Sequence, residues 1–133
     1  KDNLILKMDV EGAEWEVLEE MPFEILSKFV QMTFEFHGLL DLKKQDQILN
    51  ILSKLNETHQ VIWVHANNCG HAYTANGLIL PNLLEVTYIS RAKYKFYNYD
   101  IYNLPMELDM PNLSDRNEII LGDFSDSMRM KDV

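Results

Sequence analysis

The sequence predicts an α/β fold in which helices connect the strands of a mostly parallel sheet. Along the first half of the chain, short runs of apolar, β-branched and aromatic residues alternate with segments whose apolar residues recur at helical spacing. The chain has 133 residues, of which 47% are hydrophobic and 25% are charged, the composition of a folded globular domain. Strand–helix–strand connections make the first three strands parallel, and the last strand, which follows a loop, is expected to return antiparallel.

Each predicted element follows from a local pattern. The first strand is an apolar run that ends at Glu11 and Gly12, and the helix after it ends at Pro22, which cannot continue a helix. The longest helix has one apolar stripe, and Asp41 is placed to cap it. In chain order, we predict a strand over 3–10, a helix over 13–20, a short turn over 23–27, a strand over 29–36, a helix over 42–55, a strand over 61–64, a polar loop over 67–77 and a strand over 83–89.

The composition divides the chain into an α/β part over residues 1–93 and a tail over residues 94–133. Five aromatic residues fall within 94–102, and Pro105 and Pro111 follow them. We expect an extended tail whose aromatic rings anchor it on the α/β part, with a short strand at 119–121. The chain begins with Lys1 and passes at once into an apolar strand, which suggests a boundary inside a larger protein.

Charge and cysteine content limit the classes of partner. Lys and Arg total 12 against 21 Asp and Glu, a formal net charge of −9. A chain this acidic repels phosphate backbones and anionic lipids, so we expect neither nucleic-acid nor membrane-surface binding. Cys69 is the single cysteine, which excludes an intrachain disulfide and suits a reducing, cytoplasmic compartment.

Polar pairs mark the carboxyl ends of the first three predicted strands, where open α/β sheets bind ligands. The pairs are Asp9 with Glu11, Glu35 with His37, and His65 with Asn67. Residues i and i+2 of a strand share a face, so each pair points in one direction. Buried strands do not need such groups to fold, because an unpaired buried polar group costs about 1–3 kcal/mol. The pattern therefore predicts a site at this edge of the sheet.

Other roles for these residues remain open. Asp9 and Glu11 could cap the helix that begins near Ala13. Glu35 and His37 could be a structural hydrogen-bonded pair, and His65 and Asn67 could be ordinary residues at the entry to a loop. A divalent ion could bind Asp9, Glu35 and His37, although compact zinc spacing is absent. Two further histidines, His59 and His71, are expected in solvent, and Cys69 has no basic neighbour in sequence to activate it.

The residues at these strand ends resemble those of the FkbM-type methyltransferases. The segment LILKMDVEGAEWEVL over 4–18 is similar to the strand–turn–helix hallmark of that family, and FEFHG over 34–38 to its next strand end. Three further segments resemble its later strands and tail, namely HANN over 65–68, LPNLLEVTYISR over 80–91 and LDMPNLSDRNEIILGDF over 108–124. The resemblance implies the carboxyl-terminal portion of a Rossmann-like fold with strand order first, second, fourth, third. The chain lacks a G-x-G-x-x-G turn, so most contacts to the adenosyl group would lie elsewhere.

The resemblance also implies a reaction and a set of roles. The cofactor would be S-adenosylmethionine, and the acceptor a hydroxyl of a small molecule or glycan. His37 would be the base, with Glu35 orienting it and Asp9 close to the reacting atoms. The remaining implied roles are cofactor binding by Asp9, Glu11 and Gly12, substrate binding by His65, Asn67 and Asn68, and no bound metal.

Three hypotheses therefore compete. The chain is part of an O-methyltransferase, a non-catalytic binding module with the same half-fold, or a metal-dependent hydrolase. An incomplete domain alone is expected to be inactive and to form homodimers, because the apolar strand at 3–10 would be an exposed sheet edge.

Overall fold

A computed structural model describes residues 3–96 and 103–123, and its centre is a four-stranded mixed sheet. The elements in chain order are β1 (Leu4–Met8), α1 (Glu14–Glu20), α2 (Phe23–Leu26), β2 (Phe29–His37), α3 (Gln45–Thr58), β3 (His59–Ala66), β4 (Ala72–Ala75), β5 (Leu78–Pro81), β6 (Leu83–Ser90), β7 (Asn103–Leu104) and β8 (Gly122–Asp123).

The strands of the main sheet lie in the order β1-β2-β6-β3. β1 pairs with β2 in parallel, and β6 runs antiparallel to both of its neighbours. β1, β2 and β3 therefore point the same way, and their carboxyl ends meet at one edge. The predicted mixed α/β sheet and its strand order are confirmed. β1 is an edge strand of the described sheet, with Leu4 48% and Ile5 70% exposed.

The core lies between one face of this sheet and the helices. Met32, Phe34 and Phe36 alternate along β2 and are buried, because every second side chain of a strand faces the same way. Trp15 of α1 stacks on Phe36 with ring centroids 4.7 Å apart, and its Nε1 donates a hydrogen bond of 2.7 Å to the carbonyl oxygen of His37. The core packing thereby fixes the end of β2, where His37 stands.

Helix α3 also supports α1. Nζ of Lys54 donates to the carbonyl oxygens of Leu18 and Glu19 at 2.8 and 3.0 Å. The last turn of α1 has no basic residue of its own. Lys54 thus supplies the positive charge that the carboxyl end of a helix favours.

Two element predictions in the α/β part were wrong in part. α3 begins at Gln45 because Asp41 forms a turn upstream, its carboxylate accepting the Lys43 amide hydrogen at 3.0 Å, so Asp41 is not the helix cap. The loop predicted over 67–77 contains β4 and the turn of a hairpin, whose second strand is β5. The turn passes through Asn76 and Gly77 at φ of 51° and 81°. The Asn-Gly dipeptide is the sequence signal for such a turn.

His59 was predicted to lie in solvent, but the structure buries it. Its Nε2 lies 2.9 Å from the carbonyl oxygen of Phe29, and its Nδ1 lies 2.8 Å from Oγ1 of Thr58. These two partners satisfy the ring, and burial lowers its pKa. The ring joins the start of β3 to the start of β2, which is a structural role.

The tail contacts the sheet through polar groups in the region described. Tyr94 is 50% and Phe96 38% exposed, and the aromatic residues at 97, 99 and 102 lie outside the described residues. Nε1 of Trp63 in β3 donates a hydrogen bond of 2.9 Å to Oδ1 of Asp109. The strand expected at 119–121 is displaced to β8, which pairs with β7. In the part of the chain with described placement, no helix is long and apolar enough to cross a membrane.

Candidate functional site

The turn after β1 builds the first wall of the site. Glu11 has φ of 55°, a left-handed conformation that non-glycine residues adopt at a cost, and Gly12 follows at φ of 103°. This turn brings the Glu14 carboxylate back onto the chain that precedes it. Glu14 accepts the amide hydrogens of Val10 at 2.9 Å and Gly12 at 3.0 Å, and its side chain is fully buried.

His37 is held by the same carboxylate. Its Nδ1 lies 3.0 Å from Oε1 of Glu14 and 3.1 Å from the backbone carbonyl oxygen of Glu35. Both neighbours are acceptors, so we infer that Nδ1 carries the hydrogen of a neutral ring. The lone pair is then on Nε2, which lies 3.4 Å from Oε2 of the exposed Glu11. The ring can therefore accept a proton at Nε2.

Glu35 occupies the neighbouring position, but its carboxylate does not orient His37 as predicted. Nδ2 of Asn67 donates to Oε1 of Glu35 at 2.7 Å and, more weakly, to Oε1 of Glu85 at 3.4 Å. Burial raises the pKa of the Glu35 carboxyl, and the charges of Asp9 and Glu85 raise it further. Glu14 in the first turn of α1 takes the orienting role because α1 packs beside the end of β2.

The structure thus brings five predicted residues together with Glu14. Asp9, Glu14 and His37 place oxygen or nitrogen atoms within 4.8 Å of one another, and Asp9 also interacts with Glu35. Asn67 joins the group through Glu35. We call these residues, with Glu11, the strand-end cluster. Its members come from the turn after β1, from α1, from β2 and from the segment after β3: Asp9, Glu11, Glu14, Glu35, His37 and Asn67.

The other two predicted substrate-binding residues face the tail. Nδ1 of His65 lies 3.3 Å from Oε2 of Glu85, and its Nε2 lies 3.0 Å from Oε1 of Glu118. Asn68 donates to the carbonyl oxygen of Leu113 at 2.9 Å and accepts the Leu113 amide hydrogen at 2.8 Å. Both side chains are buried, so they hold the tail on the sheet in this structure.

Comparison with known proteins identifies the family. Residues 2–72 match the model of the methyltransferase FkbM domain. The chain belongs to this family. The match includes every member of the strand-end cluster. No curated protein and no solved structure matches the chain.

Membership of the FkbM-domain family supports a methyltransferase-type function in general, and S-adenosylmethionine is the usual cofactor of methyltransferases. The matched segment ends at residue 72, so β6 and the tail lie outside it. Glu85 and Glu118, which flank His65, therefore belong to a part of the chain that the family match does not describe.

Sequence reasoning missed four residues around this FkbM-domain site. Glu14 is the third acid of the D-x-E-G-x-E segment, and its position two residues after Gly12 was a signal for a role in the turn. Glu85 lies on β6 at the register position of Glu35 on one side and His65 on the other, which only the strand order reveals. The two others come from the tail: Asn112, which donates to Oε1 of Glu85 at 2.7 Å, and Glu118.

The structure changes the set of metal ligands expected for a metal-dependent hydrolase, which was Asp9, Glu35 and His37. Among the described residues, the group with metal-ligand spacing is Asp9, Glu14 and His37, so Glu14 replaces Glu35. Both Glu14 oxygens already accept backbone hydrogens, and Oε1 also faces Nδ1 of His37. A cation bound there would have to displace these bonds. The contacts fit a hydrogen-bonded carboxylate–imidazole pair better than a metal site.

Proposed function

We propose that this FkbM domain takes part in transferring a methyl group from S-adenosylmethionine to a hydroxyl of a small molecule or glycan, with His37 as general base. The observation that carries the proposal is the pairing of His37 with Glu14. A buried carboxylate on Nδ1 fixes the ring orientation and leaves Nε2 to accept a proton. The same carboxylate stabilises the imidazolium that forms when the proton arrives.

The charge of the site suits the proposed cofactor. S-Adenosylmethionine supplies an activated methyl group on a positively charged sulfur. Asp9, Glu11 and Glu35 place negative or acidic groups at the strand ends, and no Lys or Arg side chain in the described part of the chain forms an ion pair with them. The space beside the Cα of Gly12 is also open, because a side chain there would meet no atom within 4 Å of its Cβ beyond the adjoining residues of the chain. Asp9, Glu11 and Gly12 would be the residues that face the cofactor.

Each remaining residue then has a role in handling the acceptor. His37 would accept the hydroxyl proton at Nε2 while the acceptor oxygen forms a bond to the methyl carbon. The bond from that carbon to the donor sulfur would break, and the donor would leave as a neutral thioether. Glu11, 3.4 Å from Nε2, stabilises the protonated ring. Asn67 holds the Glu35 carboxyl at 2.7 Å, and this carboxyl, together with Asp9, positions the acceptor. The protein contributes orientation and one proton acceptor, because the methyl donor is already activated.

The test is methyl transfer by the full-length protein. S-Adenosylmethionine with an isotopically labelled methyl group is incubated with a panel of sugars, glycosides and long-chain alcohols, and the label is located by mass spectrometry. We expect label on a hydroxyl oxygen, and His37→Ala should lower kcat by about 10²- to 10⁴-fold, as expected for loss of a general base.

Glu16→Gln is the matched control for this test. Glu16 lies on α1 two residues after Glu14, and its side chain is 56% exposed and paired with Lys44. The kcat of the Glu16→Gln protein should equal that of the wild type. Full activity of a folded His37→Ala protein would exclude His37 as the base. Cofactor binding without transfer to any acceptor would instead favour the non-catalytic binding module.

A further inference from the structure

We infer that a groove beside the end of β2 binds the apolar part of the acceptor, and that the acceptor is a neutral alcohol with an aliphatic or aromatic group. This inference rests on the proposed function and specifies its substrate class. The groove has a volume of about 770 Å³. Small-molecule sites in proteins range from about 300 to 1,000 Å³ and are mostly apolar, so the groove has the size and lining of a ligand site.

Three separate elements form the groove. The segment after β2 contributes Leu39 and Leu42, α3 contributes Ile48 and Leu49, and the β4–β5 hairpin contributes Tyr73 and Leu80. Among the described residues, the hairpin is a separate two-stranded sheet with no strand pairing to the main sheet. Isolated hairpins are marginally stable, so this one depends on its contacts with neighbouring elements.

The exposure of these side chains points to a ligand. Leu42 is 82%, Leu49 55%, Tyr73 63% and Leu80 42% exposed. Single exposed apolar residues are ordinary, but a contiguous group that lines a concave surface is typical of a binding site. An apolar group in the groove would remove these side chains from water.

The charged groups of the lining decide the chemistry of the occupant. The lining includes one carboxylate, Asp41, and one imidazole, His71, and it includes neither Lys nor Arg. A fatty acid or phospholipid would bring a carboxylate or phosphate next to Asp41, with no Lys or Arg in the lining to pair with it. A free sugar would leave the leucine side chains uncovered. A neutral alcohol with an apolar group satisfies both conditions, and its hydroxyl is the group that the proposed reaction requires.

The groove adjoins the strand-end cluster along the chain. Its first lining residue, Leu39, is two positions after His37, and Gly38 between them turns with φ of 71°. Asn82 fixes this connection, because its carbonyl oxygen accepts the Leu39 amide hydrogen at 3.1 Å and its Oδ1 accepts that of Leu40 at 3.2 Å. One ordered segment therefore links the proposed base to the apolar surface.

The test is binding of an alcohol series to the chain, followed by amide chemical shifts. We expect 1-butanol to 1-octanol to shift the amides of residues 39–42 and 71–81, with affinity rising about fourfold per methylene. Octanoate serves as the charged probe, and methyl glucoside as the probe without an apolar chain. Each should bind at least ten times more weakly than 1-octanol, a factor that corresponds to the loss of about one to two methylenes of apolar contact.

Variants separate the groove from the rest of the surface. Leu49→Gln and Leu80→Gln change exposed groove residues and should abolish the dependence on chain length. Val17→Gln, at a residue 42% exposed on α1 and outside the groove lining, should bind like the wild type. Folding of each variant is checked by circular dichroism.

Three results would overturn the inference: no binding of 1-octanol to the wild type, wild-type binding by both groove variants, or binding of octanoate as tight as that of 1-octanol. His37→Ala should still bind 1-octanol, because His37 does not line the groove. If the alcohols fail to bind while methyl transfer to a sugar depends on His37, the groove inference is wrong and the proposed function stands. If they bind but no hydroxyl is ever methylated, the proposed function is wrong.

Discussion

Replacing Glu14 with alanine should destabilise the fold more than any other single change of a polar residue in the strand-end cluster. The Glu14 carboxylate is fully buried and accepts hydrogens from the Val10 amide, the Gly12 amide and, by our tautomer assignment, Nδ1 of His37. The substitution leaves all three donors without this acceptor. It also removes the contact that holds the left-handed turn at Glu11.

The size of the effect follows from these bonds. Hydrogen bonds to charged groups contribute about 1.5–3 kcal/mol each. Val10 is 45% exposed, so water replaces part of what its amide loses, and His37 keeps the Glu35 carbonyl oxygen as a partner. We therefore expect a loss of about 3 kcal/mol in the free energy of unfolding. A typical domain has about 5–15 kcal/mol, so the variant should remain folded but less stable.

Urea unfolding of the chain measures this loss. With a slope of about 1.5 kcal/mol per molar urea, the midpoint should fall by roughly 2 M. Glu16→Ala on the same helix is the control, because its side chain is 56% exposed, and its midpoint should match the wild type. A Glu14→Ala midpoint equal to that of Glu16→Ala would refute the role given to the buried carboxylate.

Three further predictions concern pH and the tail. The raised pKa of Glu35 means that the folded state keeps the carboxyl proton above pH 4.5, where the unfolded state releases it. Glu35→Gln should therefore gain stability relative to the wild type as the pH rises above 4.5, and urea midpoints with no such trend would contradict the burial argument. The lowered pKa of His59 means that, as the pH falls, the unfolded state binds a proton on this ring before the folded state does. The ring should therefore lower the free energy of unfolding below pH 6.5, and a ring titration midpoint above 6.5 by ¹⁵N chemical shift would contradict the prediction. Asn68→Ala removes the bonds that hold Leu113, so hydrogen exchange at the Leu113 amide should quicken while the α3 amides keep wild-type rates, and unchanged exchange at Leu113 would show that the tail does not depend on Asn68.

Local patterns predicted much of the fold. Apolar alternation in β2 and the helical stripe of α3 are properties of short segments, so the sequence alone identified both elements. The start of α3 was misplaced by three residues because the Asp41 side chain forms a turn where a helix cap was expected. The hairpin was missed although Asn76 and Gly77 carry its turn signal, because the surrounding segment looked polar.

The candidate site was only partly predictable for a different reason. The strand-end rule identified Asp9, Glu35 and His37 from their positions after apolar runs. It did not identify Glu14, because a glutamate in the first turn of a helix is ordinarily exposed, whereas the left-handed turn at Glu11 precedes a Glu14 side chain that is fully buried. Contacts between strand ends and the tail depend on residues far apart in sequence, which local patterns do not report.

The ring of His37 is the group on which the proposed chemistry depends, and its protonation can be observed directly in the chain. A long-range ¹H–¹⁵N spectrum at about pH 8, where an ordinary imidazole is neutral, distinguishes the two ring nitrogens. The contact of Nδ1 with Glu14 and with the Glu35 carbonyl oxygen predicts a hydrogen on Nδ1 and a free lone pair on Nε2. A ring with its hydrogen on Nε2 would have no lone pair available for the acceptor hydroxyl, and would contradict the assignment of His37 as the base.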